Sequence, residues 1–470
     1  MFALFLFARA AFTRCKKPGE YKIRPNRNFS FLFLKPAAKR SACQERPSRL
    51  RAGSQPCYIF QMEFIADLHI HSRFSLATSR DLTPENLWKW GQLKGIRVVG
   101  TGDCTHPGWL SELETKLVSS ESGLLTLRDQ PGVAVPPSCR SEVSFLLSGE
   151  ISCIYRKAGR TRKVHCLVYL PDFAAARRLN SQLSRIGNLA SDGRPILKLD
   201  AKDLLQMVLE ASPSALLIPA HAWTPHFSVF GAVSGFDSLS ECFDELTPHI
   251  YALETGLSSD PAMNWRLSAL DGITLVSNSD AHSPAKLGRE ATVFDTEFSY
   301  QGIFSGITNG RGVVSTIEFF PEQGKYHADG HRNCGVRLTP KETIDCGYRC
   351  PVCGGKLTVG VLHRVELLAD RPAGARPEVA PTFRCVIPLL DLIGGVLQVG
   401  TASKRAQDLY FKLLQMLGNE FYILLKAPLE EISVASSVLL ARAIGEMRLG
   451  EVDIDPGYDG KFGVVSVIQR

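Results

Sequence analysis

The residues of this chain best suited to chemistry sit where short apolar runs end. The stretch Phe64-Ile-Ala-Asp-Leu-His-Ile-His-Ser72 closes on Asp67-x-His69-x-His71. On a strand, alternate residues share a face, so these three side chains point the same way. Two neighbouring imidazoles with a carboxylate suit a divalent cation; the plainer reading is a buried His pair satisfied by hydrogen bonds. The pattern then recurs. Run 96–100 leads to Asp103-Cys-Thr-His106, run 143–147 to Glu150, and run 164–170 carries His165. Run 216–219 ends at His221, run 250–253 at Glu254, and run 273–276 in Asp280-x-His282. Six of the eleven histidines therefore lie in such segments. So many imidazoles converging on one rim could not all be satisfied without metal. His69, His71, Asp103, His106, Glu150, His165, His221, Asp280 and His282 form a donor set large enough for two or three ions.

The elements that must position these donors follow from the alternation. Seven short apolar runs are separated mostly by amphipathic stretches such as 173–186, 201–211 and 261–270, and Thr83-Pro84-Glu85 has the cap and proline of a helix start. This predicts seven parallel strands with helical crossovers, closed or nearly closed into a barrel with its site at the strands' carboxyl ends.

Composition places limits on the rest. With 44% hydrophobic and 21% charged residues, and no apolar run approaching the roughly 20 residues of a membrane span, no membrane role is expected. The net charge of +7 is local: residues 1–61 hold 13 Lys and Arg against 2 Asp and Glu, leaving −4 for the remainder. Nucleic-acid contact must then come from patches rather than bulk charge. Residues 1–61 show no sustained period; they read as upstream sequence translated ahead of a true start at Met62, as a disordered tail, or as a targeting peptide. Nine of the thirteen cysteines are scattered singly, which fits a reducing, cytoplasmic setting.

The other four cysteines crowd into 334–353. Cys350-Pro-Val-Cys353-Gly-Gly has the spacing of a zinc knuckle, and His331-x2-Cys334 repeats that spacing upstream, with Cys346 the rival fourth ligand. One structural zinc is expected. The segment 155–163 reads as a basic hairpin with a glycine turn. Arg156, Lys157, Arg160, Arg162 and Lys163 are its candidate phosphate contacts, the alternative being a solvated loop. Beyond a Pro/Ala/Gly linker at 371–381, helical periods cover 386–397, 402–417 and 429–449. Lys404 and Arg405 sit near a helix start, where cations oppose the helix dipole and hint at a phosphate partner.

The order Asp67-x-His69-x-His71, Asp103 and His106, Glu150, His165, His221, Asp280-x-His282 resembles the polymerase-and-histidinol-phosphatase (PHP) domain. That resemblance implies a distorted seven-stranded β/α barrel with a trinuclear centre for phosphoester hydrolysis. In the second motif Asp103 and His106 stand apart where many members have Asp-His adjacent, so His106 is the least secure ligand. Glu150 is expected to bridge two metals and Asp280 to orient the attacking water. Asp67 is expected to stand behind the ligands and orient His69 or His71.

The whole arrangement after Met62 resembles the endonuclease Q family, on the stretches Asp103-Cys-Thr-His-Pro-Gly-Trp109, Pro219-Ala-His-Ala-Trp-Thr-Pro225, Glu254-Thr-Gly-Leu-Ser-Ser-Asp-Pro261 and 350–365. It implies a DNA repair endonuclease nicking 5′ to deaminated bases (uracil, hypoxanthine, xanthine) or abasic sites, with Zn, Mn or Mg at the catalytic centre. Damaged DNA would be the partner, with room for a sliding clamp or other repair proteins. The expected organisation is an extension at 1–61, a PHP barrel at 62–320, a zinc-binding domain at 321–376, a helical DNA-binding domain at 377–455 and a tail at 456–470. A small-molecule phosphatase would need the barrel alone. Trp109, Trp223, Phe227 and Phe230 adjoin His106 and His221 and could line a pocket for an extruded base or belong to the core. His226 reads as a loop residue rather than a phosphate contact.

Overall fold

A computed structural model of the chain describes residues 63–467. The readings made for residues 1–61 lie outside them. Seven strands follow one another around a ring: β1 (Phe64–Asp67), β2 (Val98–Gly100), β3 (Ser144–Lys157), β4 (Arg160–Leu170), β5 (Leu216–Pro219), β6 (Ala252–Glu254) and β7 (Thr274–Val276). Strands β1, β2 and β3 pair in parallel, as do β6 and β7. Single bonds join β5 to β6 and β7 to the β1 segment. Ala222 N donates to Glu254 O at 3.0 Å beyond β5, and His71 N donates to Ala281 O at 3.0 Å beyond β1. The ring is distorted at β1 because its second edge is already occupied by Ala291–Phe294, which pairs with it antiparallel. On that side β7 is therefore joined to the β1 segment past the strand itself, at the Ile70–Ala281 bridge.

One expectation fails. The strands are not all parallel: β4 runs antiparallel to both β3 and β5. The cause is local. Lys157 and Arg160 are joined by Ala158 and Gly159, both at positive φ (51° and 75°), as a two-residue hairpin turn requires. A chain reversed in two residues returns antiparallel, whereas a parallel neighbour needs a crossover of a dozen residues or more. The hairpin also lengthens both strands well beyond their apolar runs. Glu150 and His165 thus lie within strands and not at their ends.

Helices pack outside the ring, the expected Thr83 cap starting Pro84–Lys94, with Asp172 capping Phe173–Leu183 and Asp200 capping Ala201–Ala211. Alternate residues of the strands fill the interior, among them Phe64, Ala66, Leu68, Leu146, Leu167, Leu216 and Ile218. Each Phe, Leu or Ile among them contributes about 1.5–3 kcal/mol on burial, which fixes which face of each strand turns to the centre.

After the ring, Asp329–His331 and Val336–Leu338 form a small hairpin, followed by a capping-box helix, Pro340–Asp345. The C-terminal region holds five helices: Leu389–Leu397, Lys404–Leu417, Glu420–Leu425, Leu429–Ala435 and Val438–Leu449. The single helix expected over 429–449 is broken at Ser436, because the Ser437 hydroxyl accepts from Leu440 N and starts a new helix. A buried Lys94–Glu420 pair at 2.7 Å, with Tyr410 Oη donating to the same carboxylate, ties this bundle to the ring. Among the described residues no helix is long and apolar enough to cross a membrane.

Candidate metal centre

His69 and His71 lie just past β1, and each is posed by a buried carboxylate. The Nδ1–H of His69 donates to Glu254, 3.0 and 3.1 Å from its two oxygens, and that of His71 donates to Asp103 Oδ1 at 3.1 Å. A carboxylate only accepts, so in the neutral rings these bonds place the proton on Nδ1 and leave each Nε2 with a lone pair to offer to something else. That something is not protein. His71 Nε2 lies 3.0 Å from Asp280 Oδ1 and 3.4 Å from Glu150 Oε2, yet His69 Nε2, His71 Nε2 and Asp280 Oδ1 are all buried without a hydrogen-bond partner. Orphaned donor atoms converging in this way match a cation site, since buried polar atoms are otherwise paired.

Three donor groups result: His69, His71 and Glu150; His71, Asp280 and His282; and Glu150, His165 and His221. Within each, the ligand atoms lie inside 4.8 Å of one another. In the third group Glu150 Oε1 is 2.7 Å from His165 Nδ1 and 3.1 Å from His221 Nε2, and the two rings approach to 3.2 Å. Ligands about 2.1 Å from one ion should stand roughly 3.0–3.4 Å apart, which the two contacts to His221 match, while Glu150 Oε1 and His165 Nδ1 stand closer than that. Glu150 presents Oε2 to the first group and Oε1 to the third, while His71 belongs to the first and second.

Burial would lower His69 and His71, but Glu254 and Glu150 hold the first, and Asp103 and Asp280 the second, well above the ordinary imidazole range. Burial alone would raise the Glu150 carboxyl, but His165 and His69 hold it well below the ordinary range. Burial lowers His165 to about 4 against the pull of Glu150, which keeps the ring neutral as a ligand must be. Asp280 is likewise held ionised, the neighbouring His71 and His69 outweighing its burial. Asp280 and His221 both adopt positive φ, 47° and 30°. Such backbone strain clusters where side chains must be aimed. Arg289 steadies the Asp280 turn through Ser279 O and Asp280 O, and Glu254 Oε2 accepts from His221 N at 2.8 Å.

Three expected site residues are placed elsewhere. Asp103 joins no donor group; its oxygens accept from His71, from the Ser72 N–H and hydroxyl, and from the Ser75 hydroxyl, so it positions His71. His106 caps the helix Pro107–Lys116, its Nδ1 accepting from Trp109 N, because the longer turn points the ring away. Asp67 touches neither His69 nor His71 by a hydrogen bond. It accepts from Ser279 N and Gly288 N and so anchors the loop that carries Asp280; burial pushes it up to about 6. Two residues of the site escape the sequence reading. Glu254 is visible there as one more strand-end acid but receives no role. Arg194, whose Nη1 lies 3.2 Å from Glu150 Oε2, sits in a loop without a motif.

The second donor cluster is His331, Cys334, Cys350 and Cys353, again within 4.8 Å. Cys353 Sγ lies 3.6 Å from His331 Nδ1, close to the roughly 3.5 Å edge of a tetrahedral zinc site. Cys346 instead closes the helix Pro340–Asp345 and is not in the group. The knuckle turn needs Gly354 at φ 72°. Burial would raise the Cys350 thiol, but the N–H groups of Cys353 and Val352 bring it down to about 7, favouring the thiolate.

The basic hairpin divides. Arg156 and Arg160 are exposed near its tip. Arg162 is buried, stacked 4.1 Å from the Phe236 ring centroid and bonded to Gly235 O, and Lys157 is held by Cys242 O and Asp244. Lys163 lies over Phe227, at 5.1 Å from its ring centroid. Lys404 and Arg405 are exposed in the first turn of Lys404–Leu417. Trp109, Trp223 and Phe230 belong to the core, the two indole N–H groups being satisfied by Gly102 O and Asn264. Phe227 is half-buried against His165, with ring centroids 4.7 Å apart. His226 is exposed in its loop. A cleft of about 1430 Å³ passes this loop, lined also by Arg289, Lys325, Tyr326, Gly395 and Phe462.

Comparison with known proteins places this geometry. The chain aligns with the crystal structure of the lesion-specific endonuclease PfuEndoQ from Pyrococcus furiosus at a TM-score of 0.76 and 31% identity. The match spans 86% of this chain and 95% of that one. The chain belongs to the endonuclease Q family. A second endonuclease Q structure, in complex with a 27-mer duplex carrying an abasic lesion at the active site, aligns at a TM-score of 0.74 and 31% identity over 87% of this chain and 97% of that one. Residues 388–451 match the MJ0043 C-terminal domain family. The Methanocaldococcus jannaschii protein MJ0043 is 30% identical over 254 residues, 52% of this chain, and the chain spans only 31% of that relative's length. The Bacillus subtilis protein YqxK is 29% identical over 413 residues, covering 85% of this chain and 98% of its own. Within the endonuclease Q family, then, this chain carries the three linked donor groups and the cluster of one histidine and three cysteines on one scaffold.

Proposed function

We propose that the chain is a metal-dependent DNA repair endonuclease that hydrolyses the phosphodiester 5′ to deaminated bases (uracil, hypoxanthine or xanthine) or abasic sites. The observation that carries this reading is the Glu150-centred set of donor groups on a scaffold matched over most of its length by a lesion-specific endonuclease. His69, His71, Glu150, His165, His221, Asp280 and His282 would hold divalent ions, Zn, Mn or Mg, and His331, Cys334, Cys350 and Cys353 one structural zinc. Ions bound there would supply Lewis acidity and lower the pKa of a coordinated water to about 7. Asp280, held ionised among His69, His71 and His282, would orient the attacking water. Glu150 fixes the spacing of the groups on its two sides.

A small phosphomonoester is the weaker alternative. It would leave the His331, Cys334, Cys350 and Cys353 cluster and the C-terminal helices without a role. Exposed Arg156, Arg160, Lys404 and Arg405 would meet the DNA backbone, with the division at 62–320, 321–376 and 377–455 separating catalysis, zinc and helical DNA contact. Cytoplasmic residence and a sliding-clamp partner are part of the same proposal. The test is a labelled duplex with one deoxyinosine or uracil, incubated with protein and Mg²⁺ or Mn²⁺. A nick on the 5′ side of the lesion, lost in Glu150→Ala and Asp280→Ala while duplex binding persists, is expected. Turnover of phosphomonoesters with intact lesion duplex would refute it.

A further inference from the structure

Two arginines reach the metal centre, and they are employed differently. Arg289 is committed to the main chain, with Nε donating to Ser279 O at 2.7 Å and Nη2 to Asp280 O at 3.1 Å. Arg194 makes one side-chain hydrogen bond among the described residues, from Nη1 to Glu150 Oε2 at 3.2 Å. Its side chain is 29% exposed, while that of Glu150 is fully buried. The guanidinium therefore spans from the donor groups to solvent, with Nε and Nη2 left for a partner that enters from outside.

Its position is set by the fold. Gly193 N donates to Phe74 O at 3.0 Å, and Asp192 Oδ1 accepts from both Leu76 N and Arg194 N, interlocking this loop with the one that follows His71. A Cβ on Gly193 would run into Asp103 Oδ2 and Ser75 Oγ, so only glycine allows the approach. On the other side Ser152 N donates to Pro195 O at 3.0 Å, two residues from Glu150 on the same strand. The loop is held against both the His71 loop and β3, which presets Arg194 without help from substrate.

A counterion for Glu150 alone would not need this construction. Glu150 already faces His69, His71, His165 and His221, and bound cations would satisfy it further. A planar fork with free donors at the solvent edge of a phosphodiester-cleaving centre matches a phosphate oxygen. We propose that Arg194 is a catalytic residue that donates to a non-bridging oxygen of the scissile phosphodiester and stabilises the charge that grows there during hydrolysis. This rests on the endonuclease reading above.

The experiment compares wild type, Arg194→Ala and Arg194→Lys in single-turnover nicking of a deoxyinosine duplex, with duplex affinity and bound metal measured in parallel. Loss of one preset donor to a transition state costs about 10²–10³-fold. Arg194→Ala is therefore expected to nick about 100-fold slower or worse, with duplex affinity within about threefold and an unchanged ion count. Arg194→Lys should recover about tenfold at most, since an ammonium lacks the fork. Guanidinium at tens of millimolar should accelerate Arg194→Ala about tenfold or more and leave wild type unaffected. Independently of activity, wild type should bind a nicked duplex bearing a 5′-phosphate at least about fivefold tighter than the 5′-hydroxyl form, and Arg194→Ala should not discriminate. Nicking by Arg194→Ala within about fivefold of wild type would overturn the proposal, as would loss of metal without guanidinium rescue, which would leave Arg194 holding Glu150 only. If wild type nicks no lesion duplex, the endonuclease reading itself fails, and the same variants with bis-p-nitrophenyl phosphate decide the Arg194 contact.

Discussion

Glu254 touches no cation site directly, yet replacing it with glutamine should empty much of the metal centre. Its oxygens accept from His69 Nδ1, His221 N and Asn278 Nδ2 at 2.8–3.1 Å. An amide keeps one acceptor and turns the other end into a donor. In either flip state that NH₂ faces an N–H, from His69 and Asn278 or from His221, and a buried unsatisfied donor costs about 1–3 kcal/mol. Loss of a partner that orients one ligand typically weakens metal binding about 10–100-fold. Here His69 and His221 serve different donor groups, so Glu254→Gln is expected to lower overall affinity by about 100-fold, near 2.7 kcal/mol. Chelator competition with Zn²⁺ or Mn²⁺, together with elemental analysis of the purified variant, measures it; a thermal melt in EDTA reports whether the apo fold survives. Ion content and affinity within about threefold of wild type would refute the reasoning and mean that packing alone aims the two rings.

Three other expectations follow from separate parts of the structure. Glu420→Ala leaves Lys94 buried without its partner and should cost about 3–5 kcal/mol in urea unfolding, whereas an exposed pair would cost under about 1. At the knuckle, Cys346→Ser should retain zinc and His331→Ala should release it; a zinc count showing the reverse would exchange their roles. Burial, with Asp260 adding to it, pushes Glu318 up to about 8 in the fold, against 4.5 in the unfolded chain. Between those values the folded state binds the extra proton, so this contribution is complete below about pH 4.5 and is lost as pH rises towards 8. Relative to wild type, Glu318→Gln should gain stability between pH 5 and 8 in thermal melts; parallel curves would contradict the assignment.

The donors that meet in the structure are legible in the sequence because imidazoles are scarce and strand alternation is simple. His69, His71, Glu150, His165, His221, Asp280 and His282 all stand in or beside the apolar runs that sequence marks as strands. What sequence does not separate is a ligand from the residue that aims it. Asp103 and Glu254 have the same chemistry as Glu150 and differ only in whether the carboxylate meets an imidazole at its N–H or shares a donor group with it. That difference is a matter of ångströms. Arg162 shows the same limit: a charge in a basic run reads as a phosphate contact until its guanidinium is seen stacked on Phe236. The break at Ser436 and the reversal at Ala158-Gly159 escape sequence reading for a related reason. A cap or a two-residue turn overrules the periodicity on either side of it.

The placement of Glu150 and His165 within a hairpin bears on how such an enzyme can change over time. Both donors are pinned by the β3–β4 ladder, in which Glu150 faces Leu167 and Ser152 faces His165, while Arg156 and Arg160 lie farther out toward the turn. Residues can be exchanged or added at that tip without disturbing the register that spaces the donors. The hairpin thus separates a stretch whose register the donors depend on from a tip whose length and charge can vary independently of them.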